Sequence, residues 1–394
     1  MRNSLTQTVR LTLIMLLLSL LLLSAFSMPT ALVQTNAQQS YTSAKAMCVM
    51  EAGSKRVLYN KNSDAQLAMA STTKIMTAIT AIENYDDLDK PFTVSNKSIG
   101  IPGTSIYLRS GEKFTLRDLL YGLMLVSGND ASVAIGEEVG GSTANFVKMM
   151  NDTAKKIGAV NTHFDNTHGL DSKSHHTTAY DLALITSYAM QNPTFKEIVS
   201  TKNTKITNSD GKTRYLKNKN KLLFSMEGCD GVKTGFTDDA GRCLVTSCTR
   251  DDMTVVAVVL NCGPMFEECK ALTEKAFNEY QLVDLTSGYT FDKSLPVIGG
   301  RAQSVKIGTK GSYRYPLRSD ELSKVRYNVR LDESVDAPVE SGRVVGEVEI
   351  FIDNDLHFAE KIYTMENVRR NSIWEKFFDL IEPVSYTHLT LPTT

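Results

Sequence analysis

The sequence predicts an α/β (α+β) domain, a sheet flanked by helices with a helical region between its two halves, followed by a small all-β domain. Short apolar and β-branched runs lie near residue 50 and again near residue 250, with helix-period segments between them. Beyond about residue 293 the helical pattern gives way to strand-like, turn-punctuated sequence up to residue 365. The expected limits are 41–285 for the first domain and 290–368 for the second. At 394 residues the chain is long enough for two domains with their own cores.

Each element has a local cause. Ala46–Glu51 and residues 57–59 read as strands around an Ala-Gly-Ser turn. Residues 74–85 read as a helix with an apolar face of Ile75, Ile79 and Ile82. Thr115-Leu116-Arg117-Asp118 is a capping-box-like start for a helix to about Val126. Residues 131–139 and 144–157 are further helices, and Thr178-Ala179-Tyr180-Asp181 caps another that runs to about Met190. Residues 244–247 and Met253–Leu260 are β-branched-rich, as buried strands are, and 267–280 is a helix packed back on them. In the second domain, residues 345–352 alternate in part, and Asp353-Asn354-Asp355 marks a turn.

The termini read differently. Arg2 and Arg10 are the only charges before Lys45, and residues 11–23 form an apolar run of signal-peptide length, too short for a comfortable membrane span. Segment 1–37 is therefore expected to be a signal peptide, or else an uncleaved anchor, and either places the rest outside the cytoplasm. Residues 371–383 begin an amphipathic helix with Ile373, Trp374, Phe377, Phe378 and Ile381 on one face. It is read as the start of an anchor on the membrane surface, with docking on the β domain as the alternative. Residues 384–394 resemble a translated sequencing adapter, and the natural chain is expected to continue differently beyond Pro383.

Composition narrows the function. The formal net charge of −1 supplies no field for nucleic acid. The six cysteines show no zinc-ligand spacing and are expected to be mostly buried, inert thiols. No cofactor or metal is expected.

Three short elements carry chemistry. In Ser71-Thr72-Thr73-Lys74, a serine opening a helix has a lysine one turn on, on the same face. The serine needs a base, and a buried lysine near other cations loses its proton readily enough to be one. In Ser127-Gly128-Asn129, between two helices, Ser127 is placed to relay a proton, and Asn129 to hold both substrate backbone and Lys74. The same triplet is also ordinary turn chemistry. In Lys233-Thr234-Gly235, a cation and a hydroxyl face a substrate carboxylate, Gly235 clears room along a strand edge, and the Phe236 N–H joins that of Ser71 as an oxyanion hole. Each is weak alone. Together, in this order and 56 and 106 residues apart, they form the signature of penicillin-recognising serine enzymes.

On these motifs, and on Asn166-Thr167-His168-Gly169-Leu170 and Asp230-Gly231-Val232-Lys233-Thr234-Gly235-Phe236-Thr237, the chain resembles the serine D-alanyl-D-alanine carboxypeptidases, the low-molecular-mass penicillin-binding proteins. The resemblance implies a β-lactamase/penicillin-binding-protein-like catalytic domain. It implies removal of the terminal D-alanine from peptidoglycan pentapeptide stems through an acyl-enzyme on Ser71, with β-lactams acylating the same serine. Where relatives often carry an arginine for the substrate carboxylate, Lys219 stands nearest, without the bidentate fork. His168, His175 and His176 read as loop histidines, and Asp181 as a helix cap. Two other functions share the motifs. A class A-like β-lactamase needs a deacylating glutamate, and none lies within 166–183. A catalytically silent peptidoglycan-binding protein would not need the motifs intact.

Overall fold

The computed structural model describes residues 38–39, 42–286 and 293–372. The expected signal segment, nearly all of the expected anchor helix and the adapter-like tail lie outside the described residues.

The first domain's sheet is built from both ends of its chain. Strand β1 (Gln38–Gln39), β2 (Ala46–Glu51) and β3 (Val57–Lys61) come first, with β2 and β3 antiparallel across a turn. The chain then leaves the sheet. A 3-10 turn (Ala70–Thr73) runs into helix α1 (Lys74–Glu83), and a small pair, β4 (Pro91–Thr93) and β5 (Lys113–Thr115), leads into α2 (Leu116–Leu125). The Thr115 side chain accepts from the Asp118 N–H while Asp118 accepts from the Thr115 N–H, the reciprocal cap that the sequence predicts. Helices α3 (Asn129–Gly140), α4 (Thr143–Ile157), α5 (Ala179–Ala189) and α6 (Pro193–Ser200) follow. A hairpin of β6 (Asn203–Thr207) and β7 (Thr213–Lys217) and the short α7 (Leu222–Ser225) close the excursion.

Strands β8 (Cys229–Thr237), β9 (Gly241–Arg250) and β10 (Met253–Leu260) complete the sheet in the order β1-β3-β2-β10-β9-β8. Helix α8 (Met265–Glu279) packs back on it. Both faces are covered, and β2 is accordingly buried at every position. Ile75, Ile79, Leu119, Leu182 and Ile185 belong to the core on one side; Cys269, Leu272 and Ala276 of α8 belong to the other. Truncating a fully buried residue such as Ile79 to alanine costs about 2–5 kcal/mol. The Lys-Thr-Gly element lies on the edge strand β8.

The second domain begins earlier than its predicted limit. Strand β11 (Gln281–Asp284) pairs with β14 (Arg314–Leu317), and Leu285 packs in the second core. Among the remaining strands, β12 (Ser294–Ile298), β13 (Ser304–Gly308), β15 (Val325–Leu331), β16 (Val335–Asp336), β17 (Val344–Ile352) and β18 (Asp355–Thr364) form a sheet ordered β15-β17-β18-β13-β12-β16. A short helix, α9 (Ser319–Leu322), interrupts the all-β pattern. Its Glu321 pairs with Arg56 of the first domain at 2.5 Å. Five of the six cysteines are buried, and all six are free thiols. Cys229 is the half-buried exception: the Cys248 thiol, its cross-strand neighbour, pulls its own thiol down. Among the described residues, no helix is long and apolar enough to cross a membrane.

Candidate active site

Ser71 lies in the 3-10 turn just ahead of α1, and Lys74 is the first residue of that helix. The turn is held against a backbone penalty. Ala70 adopts the left-handed region at φ +49°, where a non-glycine residue is strained by about 1–3 kcal/mol. Its carbonyl accepts from Thr73 Oγ1 at 2.8 Å, and Thr73 Oγ1 lies 2.7 Å from His175 Nε2. The Asp165 N–H donates to His175 Nδ1 at 3.0 Å, so the ring proton sits on Nε2 and is donated to Thr73. Burial pushes His175 down to about 4, which keeps the ring neutral in this tautomer. Gly169, at φ +90°, lies against the same carbonyl; a Cβ there would sit 1.9 Å from the Ala70 oxygen. The loop histidine and loop glycine thus act together to hold the nucleophile's turn.

Lys74 is fully buried. Its Nζ lies 2.9 Å from Ser71 Oγ, 2.7 Å from Asn129 Oδ1 and 2.6 Å from the His168 carbonyl oxygen. Two of these partners can only accept. A neutral amine has two N–H bonds for them and one lone pair left, and the remaining neighbour is the Ser71 hydroxyl. Electrostatics favours that form: burial first, then the charges of Lys233 and Lys219, hold the Lys74 amine well below its usual range. Asp130 opposes the shift, and the two lysines outweigh it.

Asn129 starts α3 and is held at both ends of its amide, with Oδ1 accepting from Lys74 and Nδ2 donating to the Pro102 carbonyl at 2.6 Å. Pro102 belongs to a strap, residues 102–108, that borders the cleft. The buried Asp130 carboxylate fixes it by accepting from Ser105 Oγ, the Ile106 N–H and the Leu108 N–H at 2.6–3.0 Å. Sequence reading missed Asp130, although its place directly after Asn129 was the available signal. Ser127 is buried in the left-handed region at φ +69°, as a turn between helices permits. The Lys74 amine does not bond to it. The expected relay from Lys74 through Ser127 is thus not formed as a direct contact among the described residues.

Strand β8 brings the third element alongside. Lys233 is buried, donates to the Thr234 carbonyl at 2.8 Å, and is pushed down to about 7, by burial first and Lys219 second. Thr234 is half-buried, and Phe236 is 63% exposed. Gly235 has a different reason to be glycine than the one expected. A Cβ on it would lie 3.1 Å from the Met69 oxygen, the Ser71 nitrogen and the Ala70 Cβ. The missing side chain lets the strand press on the nucleophile's own turn, which sets the Ser71 N–H beside β8. Lys219 is exposed, 3.4 Å from Thr104 Oγ1 of the strap. Its charge lowers both buried amines, those of Lys74 and Lys233.

The glutamates between Asn129 and Lys233 serve elsewhere. Glu137 pairs with Lys97, Glu138 accepts from Tyr85 and Glu197 from Tyr121, while Glu227 is exposed. The His168 ring accepts at Nδ1 from the Leu170 N–H, and burial and Lys74 push it down to about 4. Asp181, expected as a helix cap, is not the capping side chain: Thr178 Oγ1 caps α5 by accepting from the Asp181 N–H, and the Asp181 carboxylate accepts from the Asn161 N–H and Thr162 Oγ1 in a structural role. Among the described residues, no three His, Cys, Asp or Glu side chains gather as metal ligands.

Residues 33–263 match the family described as D-alanyl-D-alanine carboxypeptidase, and residues 280–370 match the C-terminal domain of penicillin-binding protein 5. The chain is 29% identical to the D-alanyl-D-alanine carboxypeptidase DacF of Bacillus subtilis over 83% of its length and 86% of that protein's. It is 30% identical to DacC of Escherichia coli over 86% of this chain and 87% of that one. Among solved structures, penicillin-binding protein 5 of Haemophilus influenzae superposes with a TM-score of 0.68 at 26% identity, covering 85% of this chain and all of that one. A serine-to-alanine mutant of the Streptomyces K15 DD-transpeptidase superposes at 0.57 with 33% identity, covering 61% of this chain and 98% of the mutant's. The chain belongs to the D-alanyl-D-alanine carboxypeptidase family.

Proposed function

We propose that this protein removes the terminal D-alanine from peptidoglycan pentapeptide stems. The observation that carries this is the Lys74 amine, caged by two acceptors and 2.9 Å from the Ser71 hydroxyl, with two further lysines depressing its basicity. The substrate carboxylate meets Lys233 and Thr234, with Lys219 nearby in place of an arginine. Ser71 Oγ attacks the carbonyl carbon of the penultimate D-alanine while its proton passes to the Lys74 lone pair. The Ser71 and Phe236 N–H groups receive the developing oxyanion. Collapse breaks the peptide bond, the leaving amine takes the proton that Lys74 received, and an ester on Ser71 remains. Water, deprotonated by Lys74, then hydrolyses that ester.

A β-lactam presents a strained amide to the same serine and acylates it. None of the four glutamates between Asn129 and Lys233 lies beside Ser71, so nothing resembling a class A deacylating base favours β-lactamase turnover. The apolar run at 11–23 favours export, and the amphipathic pattern at 371–383 favours contact with the outer face of the bacterial membrane. The test is release of D-alanine from a pentapeptide by the native protein and by Ser71→Ala. Loss of release in the variant is expected; equal release, or none from the native protein, refutes the reading.

A further inference from the structure

Residues 202–221 carry seven lysines and arginines against one acid, Asp210, in a chain whose formal net charge is −1. This concentration is placed on one surface by the hairpin. In β6 and β7, Ile206 and Leu216 are buried, and the outward positions are occupied by Lys205, opposite Tyr215, and by Lys217, opposite Asn203. The alternation continues past the strand: Tyr215, Lys217, Lys219 and Lys221 are exposed, with Leu216, Asn218 and Asn220 buried between them. At about 3.3 Å per residue, successive outward side chains stand about 7 Å apart. Tyr215 is 84% exposed. Lys202 and Lys217 meet over the Phe224 ring, at 5.9 and 5.5 Å from its centroid.

The row ends in the catalytic cleft. Lys219 lies against the strap at Thr104 and lowers both Lys74 and Lys233. Among the described residues, none of Lys202, Lys205, Lys212, Lys217, Lys219 and Lys221 is ion-paired. The hairpin's inward cation, Arg214, is satisfied by Glu112 at 2.7 Å and by the Ile106 and Tyr107 carbonyls. A structural role explains Arg214. It does not explain a row of unpaired cations that leads into the site.

We infer that the outward face of the β6/β7 hairpin binds the carboxylates of peptide stems neighbouring the one being cut, and so selects polymeric peptidoglycan over isolated peptide. This rests on the carboxypeptidase reading. Every stem ending in D-alanyl-D-alanine carries a free carboxylate, and a glycan strand repeats such stems along its length. A row of cations leading to the nucleophile is complementary to that repeat. Tyr215 and the exposed Phe224 edge offer flat surfaces for the sugar faces between stems.

The test compares two substrates: uncrosslinked peptidoglycan strands bearing pentapeptide stems, and a diacylated tripeptide ending in D-Ala-D-Ala. The variant is Lys205→Glu with Lys212→Glu and Lys217→Glu, all exposed and outside the catalytic machinery. For the tripeptide, kcat/KM is expected to stay within about twofold of native, and for the strands to fall about tenfold, through KM. Raising salt from about 50 to about 200 mM is expected to raise the native KM for strands and to leave the variant's nearly flat. Parallel effects on both substrates, or no effect on strands, overturn the inference. Unchanged strand cleavage with lost retention on a glycerol-phosphate polymer would assign the face to a phosphate polyanion and also overturn it. If the native protein releases D-alanine from neither substrate, the carboxypeptidase reading falls, and this inference with it.

Discussion

At the scale of single residues, the site depends on backbone positions more than its three motifs suggest. Gly169→Ala would drive a Cβ to 1.9 Å from the Ala70 carbonyl at a positive φ, so the nucleophile's turn must move. A displacement of about 1 Å costs about a hundredfold in rate. Fluorescent-penicillin labelling is expected to slow at least that much, alongside a lower melting temperature. Lys233 carries a pH signature instead. Its amine sits at about 7 in the free protein, so the cation that receives the substrate carboxylate is lost as pH rises through that value. A bound carboxylate favours the charged form. The alkaline limb of kcat/KM is therefore expected near pH 7, and that of kcat higher; coincident limbs would contradict the assignment. Ser71, Lys74 and Lys233 were legible in the sequence because the proposed chemistry belongs to their side chains, in motifs of fixed spacing. The structural parts of Gly169 and Thr73 were not, because what matters is the space one leaves and the carbonyl the other holds; Gly235 was legible, but for room along a strand edge rather than for its press on the turn at Ala70.

At the scale of elements, legibility followed local causes. The caps of α2 and α5 are side-chain devices written within four residues, and both were readable. The hairpin β6/β7 was not, since its inward face is little more than Ile206 and Leu216 among polar residues, too few to show a period. Helix α6 was missed for a similar reason: it is eight residues long with only Phe195, Ile198 and Val199 buried, although Asn192 and Pro193 mark its start. The strap at 102–108 has no regular structure and is ordered by one carboxylate. Asp130→Ala would leave three backbone N–H groups, those of Ile106, Leu108 and Ala131, and the Ser105 hydroxyl without their acceptor, at about 1–3 kcal/mol each. Denaturant unfolding is expected to show a loss of several kcal/mol. Because the Asp130 charge also raises the Lys74 amine, the surviving fold should acylate with a profile moved to lower pH.

At the scale of the molecule, the α/β (α+β) and all-β organisation was visible from the change of pattern near residue 285, while the join was not. Strand β11 is short, and its partner β14 lies about thirty residues on, so no local signal assigns it to the second domain. The domains meet at Arg56, whose guanidinium bonds to Glu321 and the Pro316 carbonyl and stacks within about 5 Å of Tyr280 and Tyr315. Arg56→Ala strands a largely buried carboxylate and is expected to cost about 3 kcal/mol. Calorimetry is expected to resolve two transitions in the variant and one coupled transition in the native protein, with tripeptide hydrolysis unchanged. In the proposed mechanism, catalysis by the whole molecule rests on a neutral amine at residue 74 taking the proton of Ser71. The rate of β-lactam acylation at Ser71, followed by intact mass as pH is raised, reads that directly. The neutral fraction grows with pH and saturates above the amine's pKa, so the rate should level off well below pH 10.5 and collapse in Lys74→Ala. A rate that climbs as an ordinary exposed lysine titrates, or that persists in the variant, would contradict it.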